Sequence, residues 1–200
     1  MGLWPTIINL LNDKEVTVRT GIAWICGTAV QNNPDAQKAF LEHRGLETLI
    51  PLLLSEHKQE RAKVVYAISG ILKHQPLAVE EFKSLKGFDH MTSILKNHLE
   101  DDAATVRKII FLYNTLLLEN PSLATTELQS LVDDLDKVII TYTIKIEDED
   151  MVEKALRTLH TFIQQTQNKL SEDKKQHVID AKNKYGQDNL NLDKNEWDQF

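Results

Sequence analysis

Chemistry would need a nucleophile, an acid–base pair or a cluster of metal ligands at workable spacing, and this sequence offers few candidates. Cys26 is the single cysteine among 200 residues. It sits beside Ile25, Ala29 and Val30 on an apolar helical pattern, which predicts a buried small hydrophobe and not a thiolate nucleophile. The seven histidines, at 43, 57, 74, 90, 98, 160 and 177, are scattered. None stands at the short spacing that sets two ligands on one helical face with a carboxylate, so they read as surface residues. Asp101-Asp102 and Asp133-Asp134 fall at helix starts or on a polar face, where attraction to the helix dipole accounts for them. The sequence contains no glycine-rich phosphate loop, nucleophile elbow, His-Glu-x-x-His or Cys-x-x-Cys. The expectation is a chain with no catalytic residue, no metal and no cofactor.

The elements around these residues repeat. Pro34 recurs as Pro76 and Pro121, Phe40 as Phe82 and Gly45 as Gly87, at offsets of 42, 45, 42 and 42 residues (76 − 34, 121 − 76, 82 − 40, 87 − 45). A period near 42 predicts an all-α, armadillo/HEAT-like right-handed helical solenoid of about four repeats. Asn33, Gln75 and Asn120 precede prolines, and proline at a first helical position loses only a donor that would have been orphaned. Each such pair therefore starts a short helix. The first is expected over about Pro34–His43, after which Gly45 supplies a permissive backbone for a turn and Leu46, Leu49, Ile50 and Leu53 begin a second amphipathic helix. A longer third helix is expected over about Gln59–His74. Its apolar positions are Val64, Val65, Ile68, Ile71 and Leu72, with Ala67, Ser69 and Gly70 as small residues for close helix approach. The same pattern occupies Val16–Val30, with Asn12 and Glu15 as a capping box, and Ala103–Leu118.

Beyond Pro121 the period decays while the helical signal persists. Leu128, Leu131, Leu135, Val138, Ile139 and Tyr142 form one apolar face. Met151, Leu156, Leu159, Phe162 and Ile163 form another, across the acidic turn Glu147-Asp148-Glu149-Asp150. The expected organisation is a repeat domain over 1–170, with repeats at about 2–44, 45–86 and 87–120 and a degenerate capping repeat at 121–170. A C-terminal helix around Glu172–Tyr185 and a loose polar tail complete 171–200, with Trp197 and Phe200 able to dock the tail.

The net charge of −7 and pI near 5.5 exclude the concentrated basic face of a nucleic-acid binder. No apolar run approaches the roughly 20 residues that span a bilayer, and the first residues lack a basic segment followed by an apolar one. A lone cysteine suits a reducing cytosol, and a monomer in the cytoplasm is expected. Met1-Gly2-Leu3-Trp4 opens in the middle of a repeat, so the chain is treated as a core fragment.

Such solenoids act as surfaces. In an armadillo stack the third helices line the concave face, where Trp24, Tyr66 and Ile110 take equivalent positions, as do Thr28, Gly70 and Asn114. Peptide-binding armadillo proteins resemble one another in a Trp and an Asn four residues apart on that helix. Here Trp24 is followed by Thr28, Tyr66 by Gly70, and Asn114 lacks its aromatic, so the peptide ladder is broken. Trp24 and Tyr66 are read either as interhelical packing or as partner contacts.

The run Ile25-Cys26-Gly27-Thr28-Ala29-Val30-Gln31-Asn32-Asn33-Pro34, followed by Gln37 and Phe40, resembles the armadillo-type nucleotide exchange factors of heat-shock-protein-70 chaperones, in particular the fungal cytosolic members. Tyr66-Ala67-Ile68-Ser69 and Gly87-Phe88-Asp89 extend the likeness, which covers residues 3 to 120 well. The resemblance implies a protein that embraces lobe II of the chaperone's ATPase domain through the concave surface and destabilises lobe I, so that ADP escapes and client is released. It implies partner contacts at Trp24, Gln31, Asn32, Asn33, Tyr66, Lys73, His74 and Asn114. Lys73 stands where relatives tend to carry Arg, and an ammonium does not reproduce a bidentate guanidinium contact. The alternative is a generic armadillo/HEAT adaptor without exchange activity.

Overall fold

Helix follows helix at the intervals set by the prolines. α1 (Trp4–Asn9) and a 3-10 turn lead into α2 (Val16–Val30), α3 (Pro34–Glu42) and α4 (Gly45–Leu49), the last extended by a 3-10 segment at Ile50–Leu54. The same order returns as α5 (Lys58–Leu72), α6 (Pro76–Ser84) and α7 (Gly87–Asn97). Then come α8 (Ala103–Glu119), a 3-10 turn at Pro121–Ala124, α9 (Leu131–Ile140), a π-helical turn at Thr141–Lys145, α10 (Glu149–Thr166), α11 (Glu172–Tyr185) and α12 (Lys194–Trp197). This is a computed structural model; it describes residues 2–200, among which there is no β-strand. The residues divide into two compact units, one running to Asn97 with Ala104–Ile109 and the other comprising His98–Ala103 with Ile110–Phe200.

In the first unit, α2 and α5 meet through their small residues. A Cβ on Gly27 would stand 2.6 Å from the Tyr66 ring and 2.9 Å from the Ala67 Cα, and one on Gly70 would stand 3.2 Å from Val30. The apolar stripe Val64, Val65, Ile68, Ile71 and Leu72 is fully buried, as the helical period requires. Asn33 caps α3 by accepting from the Ala36 amide at 3.1 Å.

Glycine plays another part at Gly45. The left-handed residues are its neighbours Arg44 and, one repeat later, Lys86, both at φ 58°. Gly45 and Gly87 are small because the rings of Phe40 and Phe82 lie against them and a Cβ would collide with either ring. Nor do Asn12 and Glu15 form a capping box. The Asp13 carboxylate takes the Glu15 amide at 2.8 Å, and Glu15 caps α2 without a side-chain bond.

A buried charge network lies under the start of the same helix pair. Glu60 is wholly buried and accepts from Arg19 Nε at 2.6 Å and Nη2 at 3.1 Å, while the Ser55 hydroxyl donates to it as well. Arg61, also buried, donates to the Ser55 carbonyl at 2.7 Å. The hydrogen bonds that Arg19 donates to the Glu60 carboxylate raise its pKa above the ordinary value, so the guanidinium stays charged.

In the second unit the two apolar faces read from the sequence are buried, carried by α9 and α10 with Leu128 from the turn before α9 and Tyr142 from the π-helical turn after it. Asp148 caps α10 by accepting from the Met151 amide at 3.0 Å. The segment expected as a loose tail that Trp197 and Phe200 could dock is folded, with both aromatics packed. Leu190 and Leu192 are buried, an Asp193–Glu196 capping box builds α12, and Trp197 is only 7% exposed. His160, one of the histidines assigned to the surface, is buried beneath this segment, bonded to Gln199 at 3.0 Å and edge-on to Phe200. Apolar residues two to five positions apart can bury even a short polar stretch when a helix cap and one aromatic pair hold it.

Candidate partner-binding face

The first candidate the sequence offers, Cys26, lies in the core. Cys26 is buried and unpaired, and burial pushes its thiol pKa up to about 12, so no useful thiolate forms near neutrality. Among the described residues no group of three or more His, Cys, Asp or Glu side chains could hold a metal ion. Attention therefore falls on the face that α2 and α5 share.

Trp24 projects from α2 with 55% of its surface exposed, and the Lys63 ammonium sits 4.5 Å from its ring centroid. With Ile25, Thr28 and Ala29 it lines a shallow apolar recess. These residues correspond, at the 42-residue offset, to Tyr66, Ala67, Gly70 and Ile71 (66 − 24 = 42). Three of those, Tyr66, Ala67 and Gly70, are the residues through which α5 meets α2. The two equivalent aromatics thus serve differently. Tyr66 lies on Gly27 and donates its hydroxyl to Gln31 Oε1 at 3.1 Å, while Trp24 presents its ring to solvent.

The two helices end in the same device. After α2, Gln31 has φ −63° and ψ 118°, Asn32 has φ 52°, and the Asn33 amide donates back to the Val30 carbonyl at 3.2 Å. After α5, Lys73 has φ −61° and ψ 128°, His74 has φ 57°, and the Gln75 amide donates to the Leu72 carbonyl at 3.2 Å. These are type II turns, whose second central residue must take positive φ. Asn tolerates that region well and His better than most side chains. Gln31, Asn32, Asn33 and His74 are exposed and Lys73 half-buried. The face thus carries one aromatic with a cation over it, one Tyr–Gln bond, and two tight turns displaying Gln-Asn and Lys-His.

Asn114 belongs to the second unit, where it accepts from the Thr161 hydroxyl at 2.7 Å, linking α8 to α10. Sequence reading singled out neither Lys63 nor the contacts of Gln37. Gln37 is 4% exposed and donates from α3 to the Gly70 and Lys73 carbonyls at 2.7 and 3.2 Å. Its place three residues after the Gln31-Asn32-Asn33-Pro34 run was the available signal. Lys63, one turn after the start of a helix, carried none.

The arrangement offers hydrogen bonds, an exposed aromatic and positive charge, the inventory of a recognition surface. The family model described as "SIL1/FES1/HPBP1 C-terminal domain" matches residues 1–138. The chain belongs to that family. A protein of Mycosarcoma maydis named Hsp70 nucleotide exchange factor FES1 is 42% identical over 122 residues, 61% of this chain and 31% of the relative. The Hsp70 nucleotide exchange factor fes1 of Schizosaccharomyces pombe is 32% identical over 165 residues, 81% of this chain and 57% of the relative. The chain thus spans from about a third to just over half the length of these two relatives. Among solved structures, an engineered protein aligns with a TM-score of 0.70 at 15% identity, covering 98% of this chain and 77% of that one. A designed armadillo repeat protein aligns with a TM-score of 0.64 at 12% identity, covering 91% and 82%. The fold is the all-α armadillo type that the 42-residue period predicts.

Proposed function

We propose that this chain is a nucleotide exchange factor that binds the ATPase domain of a cytosolic heat-shock-protein-70 chaperone, on lobe II, and promotes release of ADP and then of client. The observation that carries this reading is membership of the SIL1/FES1/HPBP1 family by a chain whose relatives bear that function in their names. The geometry supports it. A surface that displays side chains on tight turns and an exposed aromatic, with its one thiol buried and inert, is built to bind and not to transform. Trp24, Gln31, Asn32, Asn33, Tyr66, Lys73 and His74 make up the contact surface of the first unit, and Asn114 is a separate contact on the second.

Mechanistically the chain acts by linkage. It binds the opened, nucleotide-poor chaperone more tightly than the ADP-bound one, so each ligand weakens the other by the same factor. Trp24 supplies apolar area, the turns supply directed hydrogen bonds, and Lys63 and Lys73 supply positive charge within a chain of net charge −7. The chain works as a monomer in the cytosol, where its cysteine stays reduced.

Stopped-flow release of a fluorescent ADP from the chaperone tests the proposal. Release accelerates as the chain is added and saturates. An unchanged rate at concentrations where binding is complete would leave a passive adaptor instead.

A further inference from the structure

Gln37 is a buried polar side chain whose hydrogen bonds leave its own repeat. It reaches from α3 to the end of α5 and donates to Gly70 O at 2.7 Å and Lys73 O at 3.2 Å. A helix end leaves its last carbonyls without amide partners. In this one, Ser69 O receives the Lys73 amide and Leu72 O the Gln75 amide. Gln37 supplies a donor to Gly70 O. Its second bond falls on Lys73 O, the carbonyl of the central peptide in the 72–75 turn.

That peptide decides the form of the turn. Types I and II differ by a flip of the central peptide, which takes ψ of the first central residue from about +120° to −30° and φ of the second from positive to negative. His74 at φ 57° occupies the less favourable side of that choice for a residue other than glycine. The 30–33 turn reaches the same form with Asn32, which tolerates positive φ more readily than His74; at His74 a donor fixed on Lys73 O holds the peptide there. The chain contains its own comparison. Val79 stands 42 residues after Gln37 (79 − 37) and has no donor to offer. At the corresponding place before Pro121, α8 runs on to Glu119, Asn120 donates to Leu116 O at 2.8 Å, and no residue of the junction has positive φ.

We propose that Gln37 is a positioning residue, which holds the 72–75 turn in its type II form and thereby sets the directions in which Lys73 and His74 meet the chaperone. The consequence for exchange rests on the function proposed above; the effect on the turn does not. The substitution Gln37→Met keeps the shape and removes the donors. Gln165→Met is the matched control, since Gln165 donates to Leu117 O at 2.6 Å at the end of α8, where there is no such turn.

Two readouts are taken on the isotopically labelled chain. The first is the nuclear Overhauser contact between the Lys73 Hα and the His74 amide, strong in a type II turn and weak in type I. The second is the concentration of chain giving half-maximal ADP release. Gln37→Met weakens the contact and raises that concentration about fivefold, the size of one hydrogen bond, with the maximal rate unchanged. Gln165→Met changes neither. An intact Lys73–His74 contact in Gln37→Met, or an equal loss of affinity in Gln165→Met, overturns the proposal. If Gln37→Met does not fold, exchange of the Gln37 carboxamide protons in the unsubstituted chain decides: protection supports the bonds and prompt exchange overturns them. If the unsubstituted chain fails to accelerate ADP release, the exchange function falls, while the contact and protection readouts still decide the role of Gln37.

Discussion

The two units solve the problem of joining long helices in different ways. In the first, α2 and α5 approach through glycine and alanine, and their ends turn outward in two tight, exposed turns. In the second, α8 and α10 are tied by side chains. Thr158 donates to Ile110 O, Thr161 to Asn114 and Gln165 to Leu117 O, and the 190–200 segment folds over α10. Where small residues let the helices approach closely, the turn residues Asn32, Asn33 and His74 stay exposed at the helix ends. Where polar side chains do the joining, their hydrogen bonds run between helices of the same unit, as suits a terminal repeat that must close a stack.

The sharpest way to break the first unit is through its buried charges. Glu60→Ala leaves a void where Arg19 and the Ser55 hydroxyl lose their buried carboxylate partner and should cost about 4 kcal/mol in urea unfolding. An effect under about 1 kcal/mol would mean that water already reaches the network. In the second unit, Trp197→Ala should cost about 3 kcal/mol, because a buried indole is lost and the tail is released. An unaltered melting curve would show that the tail is not part of the folded unit. Gly27→Ala should lower stability by about 2 kcal/mol by forcing Tyr66 and α5 away. Gly21→Ala on the same helix, where a Cβ meets nothing within 4 Å, should raise it by about 0.5–1 kcal/mol. If both substitutions had the same sign, close approach would not be what Gly27 provides. The smallest effect is chemical. Cys26 should resist a thiol reagent at pH 8 until denaturant is added, because it is wholly buried and burial pushes its thiol pKa up to about 12.

Much of the fold was legible because its signals are local. Periodicity places a helix over Val16–Val30, which is where α2 lies, and the prolines mark the starts of α3 and α6. The expected helix over Gln59–His74 stops at Leu72, since Lys73-His74 forms the turn that displays them. Gly45 misleads because a glycine after a helix has two uses, a left-handed turn or a neighbour pressed against its backbone, and only the position of Phe40 separates them. Arg19, Glu60 and Arg61 look like a solvated helix face until the fold brings Arg19 and Glu60 together across 41 residues. The tail reads as polar because its few apolar residues have no helical period to announce them. Of the candidate face, the turn residues were visible in the Gln-Asn-Asn-Pro run, whereas the contrast between exposed Trp24 and packed Tyr66 depends on Gly27, which one helix supplies to the other.

The account holds that the first unit's turns carry recognition, and ADP release from the chaperone tests it most directly. The intact chain is titrated beside Asn32→Ala with Lys73→Ala and beside Gln165→Met. The account predicts acceleration by the intact chain and by Gln165→Met, with the paired turn substitutions raising the half-maximal concentration about tenfold or more and leaving helicity unchanged. Equal activity of all three would contradict it.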